Sequence, residues 1–181
     1  MNVVLTGLRG TGKSTLGRVL ARLMGYRFRD TDRDIVRRAG MSINEIVAKH
    51  GWDHFRAVER EVVGEAAALR DYVIAAGGGA LLDQESARVV KESAVVVLLV
   101  CDLPVLAARI ARHSHRPSLT GQASAEAEIA QVWEQRRDHY HAVADVTYDV
   151  SAQSGNEAND LRYKAADIHR LLLRTGRFEG K

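Results

Sequence analysis

The chain has 181 residues, of which 26 are Lys or Arg and 23 are Asp or Glu, so its formal net charge is +3. A hydrophobic content of 46% is enough for one domain to bury a core without disulfides or metal ions. The longest apolar run, residues 94–101, is far shorter than the roughly 20 residues of a membrane helix, so we expect no membrane span. A single cysteine, Cys101, and an N-terminus unlike a secretion signal predict a cytoplasmic protein.

The basic charge is spread along the chain rather than collected in a patch. Acidic residues are interleaved with the 21 Arg and 5 Lys, and aromatic residues make up only 6% of the chain. A basic stripe with aromatic side chains for base stacking is typical of nucleic-acid binding. The pattern therefore argues against a nucleic-acid partner and favours small anionic ligands. No exposed apolar stripe stands out, so we expect a monomer.

In chain order, short apolar runs alternate with helical patterns. The runs predict strands at residues 3–5, 28–30, 72–76, 94–100 and 145–150, the second and last being weaker. Apolar periodicity predicts helices at 15–23, 53–69 and 125–140, and a further helix from Asp102 toward Ile110. Continuous apolar runs indicate strands that are covered on both faces, so we expect an α/β fold with a doubly wound parallel sheet.

The segment from Gly7 to Ser14 fits the phosphate-binding pattern G-x-x-x-x-G-K-S and lies between a buried strand and an amphipathic helix. Its glycines let backbone N–H groups approach phosphate oxygens, and the helix N-terminus adds positive potential. We expect Lys13 to reach the β- and γ-phosphates of a nucleoside triphosphate and Ser14 to ligate Mg²⁺. A glycine-rich turn with a chance lysine is the alternative. The loop alone leaves the reaction open, because GTPases, ATPases and kinases share it.

Three further groups of residues could select the reaction. Asp32 and Asp34 follow the second predicted strand, where they could divide between a metal and an acceptor hydroxyl, or could simply cap the next helix. Arg56 and Glu59 are spaced i,i+3 on a helix, as in many solvated salt bridges. The glycines at 77–79 directly follow a buried strand, which favours close approach of the backbone to a ligand.

Together these residues resemble the shikimate kinases, small P-loop kinases of the nucleoside-monophosphate-kinase type. The resemblance runs from Val3 to about Leu172 and depends on the order and spacing of its motifs. The motifs are residues 7–15, Asp32-x-Asp34, Phe55-Arg56-x-x-Glu59, Gly77-Gly78-Gly79, Arg109 with Arg116-Pro117, and Arg136-x-x-x-Tyr140 followed by Ala144-Asp145. The resemblance implies a single three-layer α/β/α domain over residues 1–181 with a central five-stranded parallel sheet. It also implies a lid at about 112–124 and a helical substrate-binding region at about 32–60.

The resemblance implies ATP as the phosphate donor, Mg²⁺ as the cofactor and the 3-hydroxyl of shikimate as the acceptor, a step of aromatic amino acid biosynthesis. The residues that it assigns to ATP are Gly10, Thr11, Gly12, Lys13, Ser14 and Thr15, with Arg109 against the adenine and Arg116 on the lid. Those that it assigns to shikimate are Asp34, Arg56, Gly78, Gly79 and Arg136, with Glu59 orienting Arg56. Mg²⁺ would be held by Ser14 and, through water, by Asp32, and the catalytic residues would be Lys13, Asp34 and Arg116.

Bonding chemistry agrees with these implied roles, because planar guanidinium groups match a carboxylate bidentately and a lysine ammonium does not. Asp34 could act as a general base or mainly orient the hydroxyl, since proton loss is late in a loose transition state. Two departures from the family pattern, Trp52 and Ser118, predict altered loop packing or lid kinetics. A gluconate kinase on the same fold and a non-catalytic metabolite-sensing module are the alternative functions.

Overall fold

The computed structural model describes residues 1–113, 124–152 and 155–178. Its centre is a sheet of five parallel strands in the order β2-β3-β1-β4-β5. The strands are β1 (Asn2–Thr6), β2 (Arg27–Asp30), β3 (Tyr72–Ala75), β4 (Ala94–Val100) and β5 (Val146–Asp149). The predicted five-stranded parallel sheet is confirmed, including its weaker second and fifth strands.

Helices cover both faces of this sheet. They are α1 (Lys13–Met24), α2 (Thr31–Ala39), α3 (Ile43–Ala67), α4 (Gln84–Ser93), α5 (Leu103–His113), α6 (Ala125–Val143) and α7 (Glu157–Arg174). Alternate strand residues pack on opposite sides: Val3 and Leu5 lie in one core cluster with α1 and α7, whereas Val4 lies in another with α3, α4 and α6. This period of two produces the predicted three layers. None of the described helices is both long and apolar enough to span a membrane.

Helix α3 is longer than the sequence predicts, because it begins at Ile43 rather than at residue 53. Ser42 starts it with a capping box, in which the Ser42 side chain accepts from the Glu45 backbone N–H and the Glu45 carboxylate accepts from the Ser42 N–H. Gly51, with φ +82°, interrupts the helical backbone. Apolar periodicity is broken at that kink, so it marks only the second part of the helix.

The carboxyl ends of β2, β3 and β1 lie side by side. Asp30 is in register with Ala75, and Ala75 is in register with Leu5. Each of these strands is followed at once by a polar or glycine-rich segment: residues 7–12 after β1, the first turn of α2 after β2, and residues 77–79 after β3. Ligands of open α/β sheets bind at this edge, so the topology brings the sequence motifs together there.

We expect Ile168→Ala to lower the free energy of unfolding by about 3 kcal/mol, because the Ile168 side chain is fully buried between α7 and the sheet. Urea denaturation measures this change. Leu173→Ala on the same helix is the control, since Leu173 is 37% exposed and its truncation should cost less than about 1 kcal/mol. Equal losses for the two variants would contradict the assignment of α7 to the core.

Candidate active site

The loop between β1 and α1 has a backbone that glycine alone accommodates without strain. Gly7, Gly10 and Gly12 all have positive φ, between +82° and +128°. A Cβ on Gly7 would lie 2.4 Å from the Leu99 carbonyl oxygen, and a Cβ on Gly10 would lie 2.8 Å from a side-chain carbon of Ile110. The loop is therefore closely packed against β4 and α5 on one side while its other side faces a cleft.

Lys13 begins α1 directly after this loop. Its Nζ donates to the carbonyl oxygens of Gly7 and Leu8, each at 2.8 Å, so the side chain folds back across the loop. The ammonium group and the N-terminus of α1 place positive charge at the same point. The loop therefore joins a buried strand to a helix, as its sequence pattern predicts.

Ser14 lies beside an aspartate that the sequence analysis did not select. Its Oγ donates to Asp30 Oδ2 at 2.6 Å, and Asp30 Oδ1 caps α2 by accepting from the Arg33 backbone N–H at 3.2 Å. The Asp30 residue is 8% exposed. A hydroxyl and a carboxylate are the hard oxygen donors that Mg²⁺ takes in proteins. The signal for Asp30 is its place as the last residue of β2, at the ligand-binding edge of the sheet.

The structure pairs Asp34 with two arginines. Arg29 Nε and Arg37 Nη2 donate to its two carboxylate oxygens, and the Asp34 side chain lines neither of the clefts described below. Asp32 faces the site instead: a Cβ on Gly77 would lie 2.7 Å from Asp32 Oδ1. The reason is helical geometry, because α2 begins at Thr31 and residues two apart on a helix point in nearly opposite directions.

Arg56 and Glu59 form a hydrogen-bonded ion pair on α3. The Glu59 carboxylate is almost fully buried, and burial raises its pKa while the neighbouring Arg56 guanidinium opposes that rise. Gly79 makes room for the arginine, because a Cβ there would lie 2.7 Å from Arg56 Nη1. The Trp52 ring also lies 5.5 Å from the Arg56 guanidinium carbon. The pair is thus a built feature of the site rather than a solvated surface bridge.

Arg136 and Tyr140 converge on one backbone carbonyl. Both the Arg136 Nη1, at 3.3 Å, and the Tyr140 hydroxyl donate to the Gly78 oxygen. Burial raises the pKa of Tyr140, so its hydroxyl stays protonated as a donor. These bonds fix the glycine loop against α6 and bring Arg136 to the same cleft as Arg56.

Two adjoining clefts make up the site. The P-loop cleft encloses about 640 Å³, within the usual range for a small-molecule ligand. Its walls include residues 10–16, Asp30, Arg109, Val150 and Lys164. The arginine cleft is lined by Trp52, Arg56, Glu59, Gly79, Glu128 and Arg136, among others. Arg9, Asp32 and Gly78 line both clefts, so a group carried from one to the other passes these three residues.

The predicted site residues fall as follows. Gly10, Thr11, Gly12, Lys13, Ser14, Thr15 and Arg109 line the P-loop cleft, and Arg56, Glu59, Gly78, Gly79 and Arg136 line the arginine cleft. Arg116 and most of the expected lid lie outside the described residues. Asp30, Arg9 and Glu128 also line these clefts, although no sequence motif singles them out. Arg9 is an ordinary variable position of the P-loop pattern and Glu128 looks like a first-turn helix acid, so neither carries a signal by itself.

A family model described as shikimate kinase matches residues 9–166, which is most of the chain. The chain belongs to the shikimate kinase family. The shikimate kinase of Nitratidesulfovibrio vulgaris is 45% identical over 145 residues, covering 78% of this chain and 82% of that protein. A solved structure of the shikimate kinase from Acinetobacter baumannii in complex with shikimate has a TM-score of 0.87 and 31% identity, and covers 98% of this chain and 95% of that one.

Membership of the shikimate kinase family identifies the chain as a kinase that phosphorylates shikimate with ATP and Mg²⁺. A solved gluconokinase from Sinorhizobium meliloti covers 96% of this chain and 96% of its own, with a TM-score of 0.58 and 21% identity. That likeness shows a shared fold alone. The choice between the two acceptors therefore depends on the family and on the residues of the arginine cleft.

We expect Glu59→Gln to raise the KM for shikimate about tenfold with little change in kcat. Arg56 loses its charged partner, which weakens binding of the substrate and of the transition state alike. A raised pKa means that Glu59 takes up its proton at a higher pH than an ordinary glutamate. On acidification the KM of the parent enzyme should therefore rise early, and Glu59→Gln should lack this rise.

Steady-state kinetics over a pH series measure both effects. Glu134→Gln is the matched control, because Glu134 forms an i,i+3 pair with Arg137 on the exposed side of α6. Its KM and pH profile should follow those of the parent enzyme. An unchanged KM in Glu59→Gln would show that Arg56 is held without its carboxylate.

Proposed function

We propose that the two clefts transfer the γ-phosphoryl group of ATP to the 3-hydroxyl of shikimate, with Asp32 at the point of transfer. The observation that carries this assignment is that Asp32 lines both the P-loop cleft and the arginine cleft. Phosphoryl transfer requires the donor and acceptor oxygens to lie roughly in line on either side of the phosphorus. A carboxylate between the clefts is placed to act on the acceptor.

The P-loop cleft holds the donor. Backbone N–H groups of residues 10–15 and the Lys13 ammonium bind the phosphates, and Arg109 lies along the adenine side near Val150. The Lys13 ammonium group would stabilise the negative charge that develops on the phosphoryl oxygens during transfer. Arg116 stays a predicted catalytic residue of the lid.

Ser14 and Asp30 would hold Mg²⁺ at the phosphate end of this cleft. Their oxygens are 2.6 Å apart, and Asp32 lines the same cleft, where it would act through water. When bound, the ion would neutralise phosphate charge. This assignment keeps Ser14 and the water-mediated role of Asp32 from the sequence prediction and adds Asp30 as a directly contacting carboxylate.

The arginine cleft holds the acceptor. Arg56 and Arg136 bind the shikimate carboxylate as two planar forks, with Glu59 orienting Arg56 and the N–H groups of Gly78 and Gly79 contacting the ring substituents. The 3-hydroxyl then faces Asp32. Its oxygen attacks phosphorus as the bond to the β,γ-bridging oxygen breaks, and the hydroxyl proton passes to the Asp32 carboxylate. This assigns to Asp32 the role that the sequence analysis gave to Asp34.

We further propose that residues 1–181 act as one domain, as a monomer in the cytoplasm, with a lid over about 112–124 and a substrate-binding region over about 32–60.

A coupled assay for ADP release with Mg-ATP tests the function directly. The parent enzyme should turn over shikimate and leave gluconate unused. Turnover of gluconate alone would favour the alternative kinase, and ATP binding without turnover of either acid would favour a sensing module.

We expect Asp32→Asn to lower kcat by about 10²- to 10³-fold, because the amide neither accepts the proton nor carries charge. Asp34→Asn should keep kcat within about tenfold, since the ion pairs described for Asp34 are with Arg29 and Arg37, but should lower the free energy of unfolding by about 1–3 kcal/mol. Kinetics and urea denaturation of both variants measure this contrast. The reverse order of kcat losses would restore Asp34 to the reacting site.

We expect Asp30→Asn to raise the Mg²⁺ concentration needed for half-maximal activity by about 10- to 100-fold, because a ligating charge is lost. A titration of activity with Mg²⁺ at fixed ATP measures it. Asp83→Asn is the control: Asp83 caps α4 through the Ser86 N–H, as Asp30 caps α2, but lies outside the P-loop cleft. Equal Mg²⁺ curves for Asp30→Asn and the parent would remove Asp30 from the metal site.

A further inference from the structure

Arg9 and Glu128 form an ion pair between the P-loop and α6. Arg9 Nη2 donates to Glu128 Oε1 at 2.8 Å, although 119 positions of sequence separate the two residues. The exposed fractions of their side chains are 21% and 6%. The pair is therefore largely removed from solvent, unlike the exposed Arg–Glu pairs on α4 and α6.

The place of this pair is more informative than its strength. Arg9 lines both clefts, together with Asp32 and Gly78, whereas Glu128 lines the arginine cleft alone. The Arg9 backbone also lies beside the glycine loop, because a Cβ on Gly78 would be 3.5 Å from the Arg9 backbone nitrogen. Arg9 thus lies where the two clefts meet, beside Asp32 and Gly78, and Glu128 holds its guanidinium group.

A clamp between the loop and α6 does not require charge. Burying an ion pair carries a desolvation penalty, and apolar residues of similar volume often stabilise a fold as well or better. Leu8 already packs against Ile129 and Val132 of α6, so apolar contact between these elements exists next to the pair. The charged pair therefore points to chemistry at the junction.

We propose that Arg9 is a further catalytic residue that contacts the γ-phosphoryl group during transfer, and that Glu128 is a positioning residue that holds its guanidinium at the junction. The proposal rests on the proposed function of the two clefts. A guanidinium is a planar fork of five N–H donors, so one edge can bond Glu128 while another meets phosphoryl oxygens. Arg9 keeps its proton throughout; the bond changes and the proton transfer to Asp32 are those given above.

This role supplies positive charge where the transition state needs it. In a loose transition state charge lies on the three equatorial oxygens of the transferring group and on the leaving oxygen. Lys13 lies on the donor side of the loop, and Arg56 and Arg136 belong to the acceptor cleft. Among the described arginines, Arg9 is the one that lines both the P-loop cleft and the arginine cleft. Fixed donors at such a position contribute more than mobile ones because they need no reorganisation.

Kinetics of Arg9→Met, Arg9→Lys, Glu128→Gln and the double variant Arg9→Met/Glu128→Gln test the proposal. We expect kcat to fall about 100-fold in Arg9→Met, and about tenfold in each of Arg9→Lys and Glu128→Gln. The double variant should match Arg9→Met alone, because Glu128 acts through Arg9. Arg88→Met, which removes an exposed pair on α4, is the control and should stay within about twofold of the parent.

A binding measurement separates transition-state contact from a structural role. Calorimetric titration of ADP in the presence of shikimate and Mg²⁺ is compared with the same titration plus aluminium fluoride, which mimics the transferring phosphoryl group. Arg9→Met should weaken the aluminium fluoride complex by roughly the factor lost in kcat and change ADP affinity less than about threefold. A structural role would weaken both equally.

A kcat within threefold of the parent in Arg9→Met would overturn the proposal, as would equal weakening of the two complexes or multiplicative losses in the double variant. If Arg9→Met does not fold, Arg9→Lys carries both measurements, because it keeps the charge and loses the fork. Turnover of shikimate by the parent enzyme tests the function separately. A parent that phosphorylates shikimate beside a fully active Arg9→Met variant would sink this proposal alone.

Discussion

The site depends on crowding at one edge of the sheet, where three parallel strands end level with one another. The phosphate loop, the Asp30 carboxylate and the glycine loop lie next to one another at the carboxyl ends of β1, β2 and β3. Main chain and charged side chains can meet there only where no Cβ intervenes. A Cβ on Gly77 would overlap Asp32 and Glu59, and one on Gly79 would overlap Arg56. The glycines therefore set the positions of the acids and arginines around them.

Charge in the arginine cleft is organised in pairs rather than as an open cationic surface. Glu59 holds Arg56, and Glu128 holds Arg9. Arg136 instead donates to a backbone carbonyl that it shares with Tyr140. Each guanidinium thus has a fixed orientation before any anion arrives. Side-chain entropy that would otherwise be lost on binding is already lost in the folded protein.

Much of this arrangement could be predicted from the sequence. The phosphate loop was predicted from its glycine pattern between a strand and a helix, and the parallel sheet from continuous apolar runs. Both features could be predicted because their signals lie within short stretches of sequence. The pairing of Asp34 with Arg29 and Arg37 was not predicted, because it depends on α2 beginning at Thr31, which turns residues two apart away from each other. Arg9 and Glu128 meet only through the fold, since their contact spans 119 positions. Apolar periodicity also stopped short of Ile43, because the kink at Gly51 resets the helical phase.

The separation of helices between the two faces of the sheet has an evolutionary consequence. Residues of α1 and α7, which lie in one layer, line the P-loop cleft together with residues of α5. Residues of α3 and α6, which lie in the other layer, line the arginine cleft. Substitutions in α3 can therefore change which acid is accepted without altering a residue that lines the P-loop cleft. Divergence of acceptor within one scaffold then requires no new architecture.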